Sequence, residues 1–207
     1  MSAAEASIAY VVDDDESIRT LWQWLMESRG YPVRTFASAS EFIAGYRDEG
    51  AACLVLDLNL PDMSGLELQR YLSAQGVEIP IVFVTAHGDV PAAVAALKSG
   101  AVDFIEKPFN YRLAVQVVER AFELDRQNRS ARARQTDLEA RLALLTERER
   151  EVMDRVIEGK ANKIIAAELD ISIKTVEAHR AKGMEKLGVS SVAELVQTML
   201  QRRKGFP

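Results

Sequence analysis

The stretch CLVLDLNLPDMSG, residues 53–65, contains the features that decide the fold of this 207-residue chain. Its first four residues, Cys53 to Leu56, form a short apolar run that is typical of a buried strand. Asp57 follows that run directly, and the segment from Gly65 to Ala74 has the periodicity of an amphipathic helix. The stretch therefore predicts a strand with an acidic residue at its carboxyl end, followed by a helix.

The same strand-and-helix unit repeats on both sides of this stretch. Three further apolar runs are expected to form buried strands, Val33 to Phe36 is a weaker fifth, and helical segments such as Ser17 to Ser28 lie between them; the three runs are residues 8–12, 81–84 and 102–105. This alternation predicts an α/β fold of the flavodoxin-like, doubly wound class, with a five-stranded parallel sheet covered by helices on both faces. A strand order of 2-1-3-4-5 would make the first and third strands neighbours.

The strand pattern stops after Phe109. Residues 112–145 contain no Gly or Pro, which predicts that the last helix of the first domain continues into a helical linker. Leu138, Leu142 and Leu145 follow at helical spacing, and they could form a dimer seam or pack onto the next domain. We expect three parts, which are an α/β domain at 1–122, a helical linker at 123–142 and an all-α domain at 143–207.

Four short helices are predicted in the C-terminal part. Thr146 and Glu149 have the spacing of a capping box, Gly159 ends that helix, and Asn162 is expected to cap the next one. Ser172 precedes a third helix that Gly188 closes, and residues 191–200 form the last helix.

Charge is distributed unevenly along the chain, whose net charge is −5. Residues 1–122 contain 9 Lys and Arg against 17 Asp and Glu, whereas residues 123–207 contain 17 against 14. Only the second part is therefore a candidate for binding nucleic-acid phosphates. No apolar run is long enough for a membrane span and no signal peptide is recognisable, so we expect a cytoplasmic protein. Cys53 is the only cysteine, and its apolar neighbours predict a packing role.

Acidic residues follow two of the predicted strands. Asp13 and Asp14 come after the first strand, and Asp57 comes after the third, so their carboxylates should converge at one edge of the sheet. Converging carboxylates repel one another unless a cation joins them, and an all-oxygen ligand set suits Mg²⁺. With only His87 and His179 in the chain, a zinc site is disfavoured.

The remaining strand ends carry groups that a phosphoryl group would need. Thr85 offers a hydroxyl, Lys107 offers a positive charge, and Pro108 could hold a cis peptide bond that directs the lysine. Each residue alone could be structural, since the acids could cap a helix and the lysine could lie on the surface. All of these groups together at one rim favour a functional site.

Four segments in this order resemble the receiver domain of two-component response regulators across residues 7–122; they are VVDDDESIR (11–19), CLVLDLNLPDMSG (53–65), IVFVTAHGD (81–89) and GAVDFIEKPF (100–109). The resemblance implies that Asp57 accepts a phosphoryl group from a cognate sensor histidine kinase. It also implies that Asp13, Asp14, Asp57 and the backbone carbonyl of Asn59 bind Mg²⁺.

The same resemblance assigns roles to residues around Asp57. Lys107 would contact the acyl phosphate, while Thr85 and Phe104 would form the conformational switch, with Phe104 at a position where many receivers have tyrosine. Asn59 and His87 occupy positions that tune the lifetime of the acyl phosphate in the family. For His87, an exposed loop residue without such a role is the alternative.

The C-terminal part resembles the LuxR/FixJ/NarL-type helix-turn-helix over roughly residues 143–204, through LTERER (145–150), NKIIAAEL (162–169) and TVEAHR (175–180). Lys174 to Lys182 would then be the recognition face. Gly183 interrupts this helix at a cost of about 1 kcal/mol relative to Ala, and Lys160-Ala161 departs from the more usual apolar-Ser pair. The candidate DNA contacts are Thr175, Glu177, Ala178 and Ala181 near the bases, together with Asn162, Lys163, Lys174, Arg180 and Lys182.

The two resemblances together imply a transcription regulator of the FixJ/NarL family that is not an enzyme. We expect it to form a homodimer on phosphorylation through the surface around Val90 to Lys98 and Phe104 to Val118, to bind promoter DNA, and to activate transcription with RNA polymerase as a partner. The paired recognition helices would meet half-sites about one DNA turn apart.

Two other functions use the same residues. A magnesium-dependent phosphatase could employ Asp57 as its nucleophile, but it would need an acid where Asn59 stands, and it leaves the C-terminal helices unexplained. A DNA-binding protein with a receiver that is never phosphorylated is the third interpretation, and the complete set of pocket residues argues against it.

Overall fold

The computed structural model describes residues 7–86 and 90–204. The chain divides into two compact units, one ending at Arg129 and the other beginning at Ser130. We describe each unit by itself.

The first unit is built on a five-stranded parallel sheet in the order β2-β1-β3-β4-β5. The predicted fold and strand order are therefore confirmed. The strands are β1 (Ile8–Val12), β2 (Val33–Phe36), β3 (Ala52–Asp57), β4 (Ile81–Thr85) and β5 (Asp103–Glu106). The helices are α1 (Glu16–Glu27), α2 (Ala39–Gly45), α3 (Gly65–Ala74), α4 (Val90–Lys98) and α5 (Tyr111–Ala143).

Both faces of this sheet are buried, because alternate strand residues point to opposite sides. Tyr10, Leu54 and Phe83 pack on the face that α2, α3 and α4 cover. Val11 and Cys53 pack on the other face, against α1 and α5. Burial raises the pKa of the Cys53 thiol, so the predicted packing role for this residue is confirmed.

Helix α5 contributes to both units. In the first unit, the buried carboxylate of Asp125 accepts hydrogen bonds from the backbone N–H of Ala52 at 2.8 Å and from Arg129 Nε at 2.7 Å. In the second unit, Leu138 and Leu142 are buried in the core together with Leu145. Of the two interpretations of these leucines, packing onto the C-terminal helices is the one that the structure supports.

The second unit continues with α6 (Glu147–Ile157), α7 (Asn162–Leu169), α8 (Ile173–Leu187) and α9 (Val192–Lys204). The predicted capping box is present, since Thr146 Oγ1 accepts from the N–H of Glu149 and Glu149 accepts from the N–H of Thr146. Lys186 Nζ also lies 2.6 Å from the Glu149 carboxylate. The hydrogen bonds from Lys186 and Thr146 lower the pKa of Glu149 to about 2.

One predicted cap is wrong. Ala161 occupies the N-cap of α7 without a side-chain hydrogen bond, and Asn162 is the first residue of the helix. The Asn162 side chain has another partner, because its Oδ1 accepts a hydrogen bond from Arg180 at 2.9 Å. Among the described helices, none combines the length and apolar character that a membrane span requires.

Candidate functional site

The order of the strands brings the predicted acidic residues together. Because β1 and β3 are paired with Val12 opposite Leu56, the residues that end these strands lie side by side. One carboxylate oxygen from each of Asp13, Asp14 and Asp57 lies within 4.8 Å of the other two. Asp13 and Asp57 are buried, whereas Asp14 is exposed.

Lys107 lies between the two buried carboxylates. Its Nζ is 2.6 Å from Asp13 Oδ2 and 2.7 Å from Asp57 Oδ2. Its backbone N–H donates to the carbonyl of Thr85 at 2.7 Å, and the bond from Lys107 to Pro108 is cis, as the sequence suggested. The chain thus holds one lysine against both acids from the end of β5.

The other oxygen of each buried aspartate is held by the backbone of its own loop. Asp57 Oδ1 accepts the N–H of Asn59 at 2.9 Å, and Asp13 Oδ1 accepts the N–H of Asp15 at 3.0 Å. Both carboxylates therefore have fixed orientations, with Oδ2 directed at the lysine.

The electrostatics of the pocket leave a deficit of positive charge. Burial raises the pKa of Asp13 despite the opposing hydrogen bond from Lys107. Burial acts to lower the pKa of Lys107, but the hydrogen bonds and charges of Asp13 and Asp57 outweigh it, so the pKa of this lysine is raised. Among the residues that the structure describes, the Lys107 ammonium group thus faces three acidic side chains, and the carboxylate donors of this cluster suit a hard divalent cation such as Mg²⁺.

Two residues that shape this rim were not predicted from the sequence. Arg19 Nη1 donates to the backbone carbonyls of Asp13 at 2.7 Å and Asp14 at 2.9 Å, which fixes the loop after β1. Asp62, in the loop after β3, accepts from the N–H groups of Ala39 and Ser40 at the start of α2. Hydrogen bonds from the Ser40 side chain, and then from the backbone N–H groups of Ser40 and Ala39, lower the pKa of Asp62 to about 2.

Gly65 is the third residue that sequence reasoning did not identify. It begins α3 and donates its N–H to the carbonyl of Leu58 at 2.8 Å. A Cβ at this position would lie 2.3 Å from the carbonyl oxygen of Asp57. Glycine thus lets the start of α3 pack directly against the backbone of Asp57. The sequence signal for this close approach is a glycine at the first position of a predicted helix.

Thr85 and Phe104 lie on adjacent strands. Thr85 is the last residue of β4 and is completely buried. Phe104 on β5 is paired with Phe83 on β4. Its side chain is partly buried and packs against the core cluster that contains Phe83. The predicted switch pair is therefore separated by two residues along neighbouring strands. His87, for which a role in acyl-phosphate lifetime was considered, lies outside the described residues.

In the second unit, α7 and α8 form a compact helix-turn-helix. Asp170 adopts a left-handed conformation with φ of 52° at the end of α7, and Ser172 caps α8 by accepting the N–H of Thr175 at 3.0 Å. Val176 and Leu187 of α8 are buried against α6 and α7. The opposite side of α8 is left exposed, with its residues at helical spacing; these are Lys174, Glu177, Ala178, Ala181, Lys182 and Glu185.

Three exposed lysines of α7 and α8 differ from the other cations of the unit because their side chains have no partner among the described residues. Lys163, Lys174 and Lys182 make no hydrogen bond or ion pair with any residue that the structure describes. Elsewhere in the unit, cations bind neighbouring groups of the chain, as Lys186 does with Glu149, and further examples are Arg141, Arg148, Arg150, Arg155 and Lys160. The exposed positive charges of α7 and α8 are therefore available to an external anion.

Gly183 has a packing role that the sequence did not reveal. It is buried, and a Cβ there would lie 2.7 Å from Met153 Cγ and 2.8 Å from Met153 Sδ. The expected 1 kcal/mol cost of this glycine is thus offset by the close approach of α8 to α6 that it permits.

Comparison with known proteins gives two family matches. The model described as "Response regulator receiver domain" matches residues 9–119, and the model described as "Bacterial regulatory proteins, luxR family" matches residues 143–199.

Similar proteins span nearly the whole chain. The response regulator protein TodT of Pseudomonas putida is 42% identical over 192 residues, which are 93% of this chain and 85% of TodT. The transcriptional regulatory protein FixJ of Rhizobium meliloti is 44% identical over 191 residues, which are 92% of this chain and 94% of FixJ. Among solved structures, the response regulator StyR is 44% identical with a TM-score of 0.87, covering 95% of this chain and 99% of StyR.

Proposed function

We propose that this chain, which belongs to the two-component response regulators with a LuxR-type DNA-binding domain, accepts a phosphoryl group on Asp57 and thereby controls its binding to promoter DNA. The observation that carries the proposal is the placement of Lys107 Nζ between Asp13 and Asp57, at 2.6 and 2.7 Å. It holds a positive charge where the oxygens of an incoming phosphoryl group would lie.

The chemistry is transfer from a phosphohistidine of the kinase. A carboxylate oxygen of Asp57 forms a bond to phosphorus while the bond from phosphorus to the histidine nitrogen breaks, and the imidazole leaves. Asp13, Asp14, Asp57 and the backbone carbonyl of Asn59 would hold Mg²⁺, which supplies charge neutralisation for the phosphoryl oxygens. Lys107 then exchanges its hydrogen bond to Asp57 for one to the phosphoryl group.

Phosphorylation would reach the rest of the receiver through Thr85 and Phe104. A phosphoryl group on Asp57 attracts the Thr85 hydroxyl, and the Phe104 ring moves into the space that the threonine leaves. Phe104 is only partly buried and lies on the strand next to that of Thr85, two residues along in the register, so it has room to change its packing.

The affected surface would form the homodimer. Val94 and Leu97 on α4, and Tyr111 and Leu113 at the start of α5, are large apolar side chains that the first unit leaves exposed. They lie on the two helices that follow β4 and β5, within the range proposed from the sequence. A surface with several exposed large apolar side chains is a candidate for a protein interface.

The DNA-binding surface would be α8 together with the start of α7. Thr175, Glu177, Ala178 and Ala181 would lie nearest the bases, and Lys174 shares the exposed side of α8 with the last three of these. Contacts to phosphates would come from Asn162, Lys163, Arg180 and Lys182. We propose residues 1–122 as the controlling domain, residues 123–142 as the linker and residues 143–207 as the DNA-binding domain. We further propose that the protein acts in the cytoplasm and activates transcription through contact with RNA polymerase.

The test is phosphorylation of the full-length chain with acetyl phosphate and Mg²⁺, followed by DNA binding. Intact mass should show one phosphoryl adduct on the wild type and none on Asp57→Ala. Phosphorylation should raise the affinity for a promoter fragment roughly 5- to 150-fold in the wild type alone. An unmodified wild type, or equal DNA affinities for the wild type and Asp57→Ala, would contradict the mechanism.

DNA contacts are tested by the dependence of affinity on salt. Lys182→Ala should weaken binding to all sequences and reduce the slope of log affinity against log salt by about 1. Arg148→Ala is the matched control, because it removes an exposed cation that binds Glu151 on α6. Equal slopes for the wild type and Lys182→Ala would remove this lysine from the phosphate contacts.

A further inference from the structure

Glu177 places a negative charge in the middle of the exposed side of α8. Lys174 lies one turn before it, and Lys182 lies on the same side further along the helix. The N-terminal half of a recognition helix is the part that meets base edges in the major groove. A carboxylate in this position faces a polyanion, so it weakens binding unless a specific hydrogen bond compensates for the repulsion.

The part of the chain that the structure describes provides no partner for this carboxylate. Glu177 makes no hydrogen bond or ion pair through its side chain within the described residues. The residue four positions later is Ala181, and Arg180, three positions later, donates to Asn162. By contrast, Glu168 on α7 binds both Arg155 and Lys160. The Glu177 carboxylate is therefore free to accept hydrogen bonds from another molecule.

The neighbours of Glu177 allow a close approach. Ala178 and Ala181 flank it on the exposed side of α8, and neither side chain extends beyond Cβ. A base pair can thus come near the helix backbone at this point, which brings the carboxylate of Glu177 within reach of the base edge. The methyl groups of the two alanines suit apolar contact with thymine.

We propose that Glu177 determines target specificity by requiring a cytosine in each half-site. An ionised carboxylate is only an acceptor, and cytosine presents the N4 amino donor in the major groove. Guanine presents N7 and O6, and thymine presents O4, so all three of these acceptors repel the carboxylate. Adenine offers a donor beside the N7 acceptor, which makes it a poorer match than cytosine. This inference rests on the proposed DNA-binding function and deepens it.

The experiment is selection of binding sites from randomised duplex DNA with the phosphorylated full-length chain. The wild type should enrich a motif with one C·G pair per half-site whose replacement weakens binding roughly 5- to 150-fold. Glu177→Ala should lose the preference at that position and bind random DNA more tightly. Glu177→Gln should shift the preference to adenine, which glutamine can bind through N6 and N7.

Glu185→Ala is the matched control, because Glu185 lies on the same exposed side of α8 two turns later. It should enrich the wild-type motif. A motif that is the same for the wild type, Glu177→Ala and Glu177→Gln would overturn the assignment while leaving DNA binding intact. If the wild type retains no DNA in the selection, the proposed DNA-binding function fails, whereas a wild type that retains DNA without enriching a C·G pair overturns only the assignment of Glu177.

Discussion

Replacing Gly65 by Ala should slow the phosphorylation of Asp57 strongly, whereas the free energy of unfolding should fall only modestly. An ideal Cβ on Gly65 would lie 2.3 Å from the carbonyl oxygen of Asp57 and 3.2 Å from its carbonyl carbon. Since ordinary contact begins near 3.4 Å, the start of α3 and the end of β3 must separate by about 1 Å. The obstacle is backbone, so a change of rotamer cannot relieve it.

The magnitude follows from two opposing effects. Overpacking of this kind costs about 1–3 kcal/mol, and the better helix propensity of alanine returns up to about 1 kcal/mol. The free energy of unfolding should therefore fall by no more than about 3 kcal/mol, and by about 0–2 kcal/mol if alanine returns the full 1 kcal/mol. A displacement of about 1 Å at a reacting group can lower a rate on the order of 100-fold, because the productive geometry is lost.

The assay is the initial rate of phosphorylation of the full-length chain by acetyl phosphate with Mg²⁺, measured by intact mass, together with urea unfolding. Ala74→Gly is the matched control. It lies at the exposed end of the same helix, and it should cost about 1 kcal/mol of stability without disturbing Asp57. A wild-type rate for Gly65→Ala would refute the reasoning, and so would an equal loss of rate in Ala74→Gly.

Three further perturbations follow from the contacts described above. Lys107→Ala leaves two buried carboxylates without their cation, so urea unfolding should show a loss of about 3–5 kcal/mol at neutral pH that Mg²⁺ partly restores; an unchanged midpoint would contradict this. Glu149→Gln should lower the thermal midpoint at neutral pH, but the difference from the wild type should shrink between about pH 5 and pH 2. The pKa of Glu149 is depressed to about 2, so its contribution is present above the ordinary carboxyl pKa and disappears as pH falls; a difference independent of pH would exclude this cause. Gly183→Ala should destabilise by about 1–2 kcal/mol through contact with Met153, and the cost should be smaller in a Met153→Ala background; additive losses would show that the two residues are not coupled.

The fold was predictable because its signals are local. Apolar runs and helical periodicity are properties of neighbouring residues, and the flavodoxin-like class that they indicate has the strand order 2-1-3-4-5. The convergence of Asp13, Asp57 and Lys107 was predictable for the same reason, since all three stand at strand ends on one rim.

What the sequence did not show depends on distances between segments that are not adjacent in the chain. The role of Gly65 requires knowing how closely α3 approaches β3, and that of Gly183 requires knowing where Met153 lies. Asn162 was expected to cap α7 because of its residue type, but Arg180 engages its side chain from α8 instead. A side chain with two possible partners is assigned correctly only when the tertiary contact is known.

The position of Cys53 allows unfolding of the first unit to be followed by the reactivity of a native thiol. It is the single thiol, it is completely buried, and it lies in the same strand as Asp57. A thiol reagent can modify it only when β3 becomes accessible, so the labelling rate measures how often the centre of the sheet opens. A cysteine introduced on the surface would meanwhile be the one rapidly reacting thiol, so fluorophores or spin labels could be attached without first removing the native residue.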